Sequence, residues 1–300
     1  MIHTDINGVI AAWLGERFTD LEPLTGPPWR VRIAAHSADT TIAVNDDWLC
    51  LETRCGDLKG VAPFDRLLAQ SRHRGAKYVV RSPAAPCDSE VAARAEAHLE
   101  RGRVKGVIDK LQLALCGTRA LLVVPAFDGL SSEASAASEA LHSEVSHRPY
   151  IEATAEPASL HAVLADSQLD FTEVSGSGSW LLNACGYRIE VAGAGNGWRA
   201  SLAATVAGTL PLAEPMRTAL APFLLRVAAS IYGARPYVRQ VGDAYAIGFE
   251  SDLTHTPSTA DLTHAAGALV AATRRYAKPI EALAQEPLLA NGYLARLRGR

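Results

Sequence analysis

The chain carries the trace of a duplication. Trp29 and Trp180 each begin a strand-like run, 151 positions apart; Pro63 and Pro215 each begin the middle helix of their unit, 152 apart; Gly75-Ala76-Lys77 and Gly233-Ala234-Arg235 each follow that helix, 158 apart. Like anchors in one order, at near-equal offsets, are what a tandem repeat leaves in a sequence. Within 300 residues this allows two units of about 150 residues each, an ordinary domain size.

The hydrophobic periods indicate what each unit is made of. In the first, Ile6, Val9, Ile10, Trp13, Leu14 and Phe18 form one helical stripe behind Asp5 as N-cap. The period then changes to two over Trp29, Val31 and Ile33, over Ile42 and Val44, and over Trp48–Arg54. The turns between these runs, His36–Asp39 and Asn45-Asp46-Asp47, are too short for parallel crossovers, so the runs predict an antiparallel meander. Pro63 opens a helix with Phe64, Leu67 and Leu68 inward, and a short strand follows from Lys77 to Arg81. Val91, Ala95, Leu99, Val107, Ile108, Leu111 and Leu115 predict a long helix from Ser89 to about Leu115, interrupted at Gly102, with a short strand over Leu121–Pro125.

The second unit reads the same way and more clearly. A short helix carries Leu160, Val163 and Leu164 behind Ser159, and strands follow at 171–174, 179–185, 187–191 and 198–207. Pro215 opens a helix with Met216, Leu220, Phe223, Leu224, Val227 and Ile231 inward; a hairpin turns at Gly242-Asp243; and a last helix carries Leu262, Ala266, Leu269, Thr273, Tyr276, Ile280 and Leu283. The first unit offers no evident partner to the returning strand Ala244–Glu250. Between the units, the small polar run Ser131–Ser138 marks a linker, so the chain divides into 1–125, 126–157 and 158–300. The fold class expected is α+β: two tandem helix–antiparallel sheet–helix units.

Composition narrows the function. With 48% hydrophobic and 20% charged residues the chain can bury sizeable cores, and a net charge of −3 gives no concentrated basic face for nucleic acid. No run approaches the roughly 18 apolar residues of a membrane span, and Met1–Asp5 lacks the basic start of a signal peptide. The five cysteines are too few and too irregular for a disulfide scaffold or a zinc site, and read as small buried hydrophobes. A cytoplasmic location is expected.

The order α-β-β-β-α-β-β-α with a long last helix resembles the class I type III secretion chaperone fold and its YbjN-like relatives. The residues that carry the resemblance best are Gly233-Ala234-Arg235-Pro236-Tyr237-Val238-Arg239, the Gly-Asp turn, and Ala244–Glu250, similar to that family's paired strands before its last helix. The resemblance implies a chaperone-like domain that pairs with a copy of itself and holds an extended client segment, with no catalytic residues. Two such domains in one chain imply a monomeric pseudo-dimer with an internal pseudo-twofold, its middle helices meeting through Phe64, Leu67 and Leu68 on one side and Phe223, Leu224, Val227 and Ile231 on the other.

Motif chemistry is sparse. Gly193-Ala194-Gly195-Asn196-Gly197 precedes a strand, where a phosphate loop needs a helix, so it reads as a hairpin turn. Gly176-Ser177-Gly178-Ser179 likewise precedes a strand and is no nucleophile elbow. His142 and His147 are spaced five apart, not the three or four that would place two metal ligands on one helical face. No metal, nucleotide or other cofactor is expected.

Two functions fit. The first is a non-enzymatic module that binds an extended protein or peptide client on a sheet face or edge, with Trp29, Trp48, Trp180 and Trp198 as the candidate surface. The second is an enzyme or small-ligand binder with its pocket between the halves, Arg32, His36, Asp39, Asp46 and Asp47 being first candidates. No nucleophile, base and orienter stand together in the sequence, which favours the first.

Overall fold

A computed structural model of the chain describes residues 6–18, 21–22, 27–33, 38–45, 47–55, 62–80, 91–100, 106–122, 160–174, 178–193, 198–254 and 257–298. The 126–157 linker, Asp5, His36, Asp46, His142, His147, Ser159 and the Gly195-Asn196-Gly197 turn lie outside them.

The first half runs α1 (Ile6–Arg17), β1 (Trp29–Ile33), β2 (Ala38–Asn45), β3 (Trp48–Arg54), α2 (Pro63–Gln70), β4 (Lys77–Val80), β5 (Val91–His98) and α3 (Val107–Leu122). The second runs α4 (Leu160–Asp166), β6 (Asp170–Val174), β7 (Ser179–Ala184), β8 (Tyr187–Gly193), β9 (Trp198–Leu210), α5 (Glu214–Ser230), β10 (Arg235–Val241), β11 (Ala244–Thr254), α6 (Thr259–Gln285) and α7 (Pro287–Arg298). The protein is therefore α+β, in two sheet-containing halves, with every strand pair antiparallel.

Strand order is β1-β2-β3-β5-β4 in one sheet and β6-β7-β8-β9-β11-β10 in the other. Both follow one plan: a meander, a helix, then a hairpin whose second strand pairs with the end of the meander. The second half adds β6 at its edge and α7 at its end.

The first half thus has the returning strand that its sequence concealed. Val91–His98 is β5, not helix, and α3 runs from Val107 through Leu122, where a strand was expected to begin. The segment is rich in alanine, the best helix former, yet tertiary packing overrides that propensity. Ala93 and Ala95 face the core under α3, while Ala92 packs with Val79 and with Ala228 of the second half, all fully buried. With these alanines, α3 comes close to β5 on one face and Ala228 of α5 meets Ala92 on the other.

Each sheet has its long helix on one side, α3 on β3 and β5, α6 on β9 and β11. Ile42, Leu51, Leu111 and Trp29 fill the first core, and Leu202, Phe249, Leu262 and Leu269 the second, all with no exposed surface. The middle helices cross between halves: α2 packs on α5 and β10, and α5 packs on β4. Gln70, fully buried at the end of α2, ties them by donating to the Pro236 carbonyl at 2.7 Å and accepting from the Tyr78 N–H at 2.6 Å.

Of the residues expected at this junction, Phe64 meets Tyr245 of β11 edge-on, with ring centroids 5.3 Å apart. Leu67, Leu224, Val227 and Ile231 are buried, and Leu68 is half-buried against the core. Phe223 packs edge-on against Tyr276 of α6 and Tyr293 of α7, within its own half. None of the helices among the described residues is long and apolar enough to cross a membrane.

Candidate binding cleft

The two Gly-Ala-basic triplets meet at the centre of the molecule. The Gly75 N–H donates to Asp252 and the Gly233 N–H donates to Glu96, each at 3.0 Å and each into the opposite half. Lys77 pairs with Glu96 at 2.8 Å and donates to the carbonyls of Ile231 and Ala234. Arg235 pairs with Asp252 at 2.9 Å and donates to the carbonyls of His73 and Ala76. Residue i of one half does to the other what its counterpart does in return, the mark of an isologous contact. Burial pulls the Lys77 ammonium below its ordinary pKa, with Glu96 opposing.

Strand register extends the correspondence outward. In the first sheet Lys77, Arg94, Glu52, Thr41 and Arg30 lie in one row across neighbouring strands. In the second the row is Arg235, Glu250, Ala203, Glu190 and Leu181. Cross-strand partners share a face. Both rows lie on the face turned away from the long helix.

The rows differ at two adjacent places with consequences. In the first sheet Glu52 binds Arg94 through Nε at 3.0 Å and Nη2 at 2.8 Å, and Arg94 also donates to the Ala229 carbonyl of α5. The space beneath the end of α5 is thus filled from within. In the second sheet the position of Glu52 is taken by Ala203, and the position of Arg94 by Glu250, which turns aside to Arg235 and Arg239. What stays open is a cleft of about 220 Å³ between the end of α2 and the sheet. Ala192, Ser201 and Ala203 line it as small side chains, with Arg72, Arg74 and Arg239 around it.

The electrostatics are held by shared pairs. Arg74 and Arg235 share Asp252, at 3.1 and 2.9 Å. Burial pushes the Glu250 carboxyl above its usual range, with Arg235 opposing and Asp252 adding to the rise. Arg239 stacks over the Tyr237 ring at 4.4 Å, and the Tyr237 hydroxyl reaches Thr205 at 2.7 Å. That ring lies across Gly248, where a Cβ would come within 2.9 Å of it, so only glycine fits opposite Tyr237.

A second, smaller cavity of about 50 Å³ lies on the other side of the junction. There His98 of β5 and His264 of α6 stack with centroids 3.7 Å apart, and Trp48 meets both edge-on. Lys110 of α3 donates to the His98 carbonyl at 2.7 Å and to Asp261 at 2.6 Å, and Asp261 also closes the capping box with Ser258 at the start of α6. Burial lowers the His98 pKa, and His264 lowers it further. These groups are consumed in joining the halves. Among the described residues no three His, Cys, Asp or Glu side chains gather as metal ligands would.

The tryptophans do not form one surface. Trp29 has no exposed surface and belongs to the first core. Trp48 sits at the junction, against Gly233, and Trp180 is half-buried against the second core, while Trp198 opens β9. Arg32 and Asp39 form an exposed pair at 3.5 Å on β1 and β2, at the sheet edge opposite β4, so they do not converge on the junction. Sequence reasoning passed over Arg72 and Arg74. In the sequence Arg235 and Arg239 read only as a repeat anchor and a hairpin residue. Their two-residue rhythm with Tyr237 was the available signal, since it puts all three on one face of a strand. The cleft must be judged on this geometry, for no family model, no curated protein and no solved structure matches the chain.

Proposed function

We propose that the protein is a non-enzymatic binding module that holds an extended polypeptide segment against the uncovered face of its six-stranded sheet, as a monomer whose two halves act as an internal dimer. One observation carries this reading: the cleft beside α2 has a floor of small side chains, Ala192, Ser201 and Ala203, on adjacent strands. A floor of that kind lets a peptide backbone lie close, and the side chains that rim it supply polar contacts. The helix-and-meander order that resembles secretion chaperones and YbjN-like proteins supports the same reading.

The experiment is selection of a random extended-peptide display library on the full chain, repeated with Ala192→Arg, which obstructs the floor. The reading expects peptides enriched on the parent and lost on the variant. No enrichment, together with a metabolite that raises the melting temperature, overturns it in favour of a small-ligand protein with its pocket between the halves. The arginines around the cleft are what favours that second reading, with a small anion as the ligand.

A further inference from the structure

We propose that the cleft between Arg72 and Ser201 is a subsite for one carboxylate of the peptide partner, which enters beside Ala203, the small residue that stands in the place of Glu52 of the first half. The proposal deepens the binding-module reading and rests on it. Three observations converge. The first is internal comparison: the equivalent space in the first sheet is filled by the Arg94–Glu52 pair, and in the second Ala203 stands in the place of Glu52, so no side chain of that sheet enters the space from there.

The second is charge. Arg72, Arg74, Arg235 and Arg239 face Glu190, Glu250 and Asp252, four cations against three anions. Glu250 and Asp252 are each bound by two of these arginines, which leaves Arg72 and Glu190 as the cleft's cation and anion outside these pairs. Arg72 is exposed and has no ion-pair partner among the described residues. An arginine fork is well suited to a carboxylate, which it binds through two parallel donors.

The third is an unused donor. Ser201 is 7% exposed, lines the cleft, and its Oγ has no hydrogen-bond partner among the described residues. A buried hydroxyl left unpaired is costly, and an entering carboxylate would satisfy it. At about 220 Å³ the cleft is smaller than the roughly 300–1,000 Å³ of small-molecule sites, and suits one side chain of a longer ligand.

The test uses the full chain and three probes: an acetylated, amidated Thr-Val-Thr-Glu-Thr-Val-Thr peptide, the same peptide with Gln in place of Glu, and free succinate. Binding is read by calorimetry and by the arginine Nε–Hε resonances. The Glu peptide is expected to bind at least about tenfold more tightly than the Gln peptide, to weaken with added salt, and to shift the Arg72 signal. Arg72→Gln, an exposed change that leaves the fold alone, should erase most of that preference. Ala203→Glu, which supplies the carboxylate from within, should erase it as well. Equal binding of both peptides, unaffected by Arg72→Gln, overturns the subsite and leaves the binding-module reading standing. Succinate binding as tightly as the Glu peptide overturns the peptide source, and with it that reading. Binding by none of the three overturns the subsite, and the display selection then decides the reading by itself.

Discussion

Gly75 and Gly233 hold the same post in opposite halves: each donates its N–H at 3.0 Å to a buried carboxylate of the other half. The carboxylates, Asp252 and Glu96, are each 3% exposed and each is paired with the basic residue two positions after the glycine of its own half. The junction is therefore a closed exchange of charge. Removing a single member leaves a buried charge without its partner, which is far worse than removing the pair.

Lys77→Met is expected to cost about 3–5 kcal/mol, because it strands Glu96 in the junction. Lys77→Met with Glu96→Leu should recover part of that loss. Recovery stays incomplete, since the Gly233 N–H and the Ile231 and Ala234 carbonyls lose their partners as well. Urea denaturation of the three chains measures the cycle. A double variant as unstable as the sum of its single changes would show that the pair is not coupled.

Gly233 also has φ +69°, and a Cβ there would stand 2.5 Å from Cη2 of Trp48. Gly233→Ala should lose about 1–2 kcal/mol from the left-handed backbone alone. Displacing the indole, which also touches His98 and His264, adds to this. In a Trp48→Ala background the same glycine substitution should cost less, leaving only the backbone component. An identical loss in both backgrounds would mean that the indole is not seated on the glycine.

Acid should loosen the junction through His98. An unfolded histidine titrates near 6.5, whereas burial and then His264 hold His98 below that value. Between the two values the unfolded chain holds more protons, so stability is full above 6.5 and is lost as pH falls toward the lower pKa of His98. Asp261 and Asp47 moderate the effect and Lys110 strengthens it. The urea midpoint should drop between about pH 8 and about pH 5.5, and drop less in His98→Asn. A midpoint equally steep in the variant would assign the loss to other groups.

Local rules made most of the architecture legible and failed where tertiary contact decides. Pro63, Pro215 and the two glycine triplets mark local chain geometry, so they could be read directly. Val91–His98 could not, because a run rich in alanine satisfies helical propensity and gives no sign of the two helices that press on it. Trp29 could not be assigned to core or surface, since a strand alternates faces without saying which one is covered. The cleft was the least visible. Arg72 and Arg239 come from different halves, and only the packing of one half on the other brings them to one place.

That packing of the halves gives the sharpest expectation. A chain of residues 158–300 alone would uncover the side of α5 that packs on β4, where Ala228 meets Val79 and Ala92. Arg235 would lose the carbonyls of Gln70, His73 and Ala76, and Ile231 and Ala234 would lose Lys77. An exposed apolar face beside unpaired buried groups favours association. Because the second half carries its own Gly233, Arg235 and Asp252, a second copy can supply the missing contacts in kind. The fragment should therefore dimerise or precipitate, and co-expression with residues 1–125 should replace self-pairing with a one-to-one complex, because Glu96 and Lys77 then return. Light scattering and mass spectrometry of the two preparations distinguish these states. A fragment that stays monomeric and soluble would show that the junction is dispensable to it, and that each half completes its core without the other.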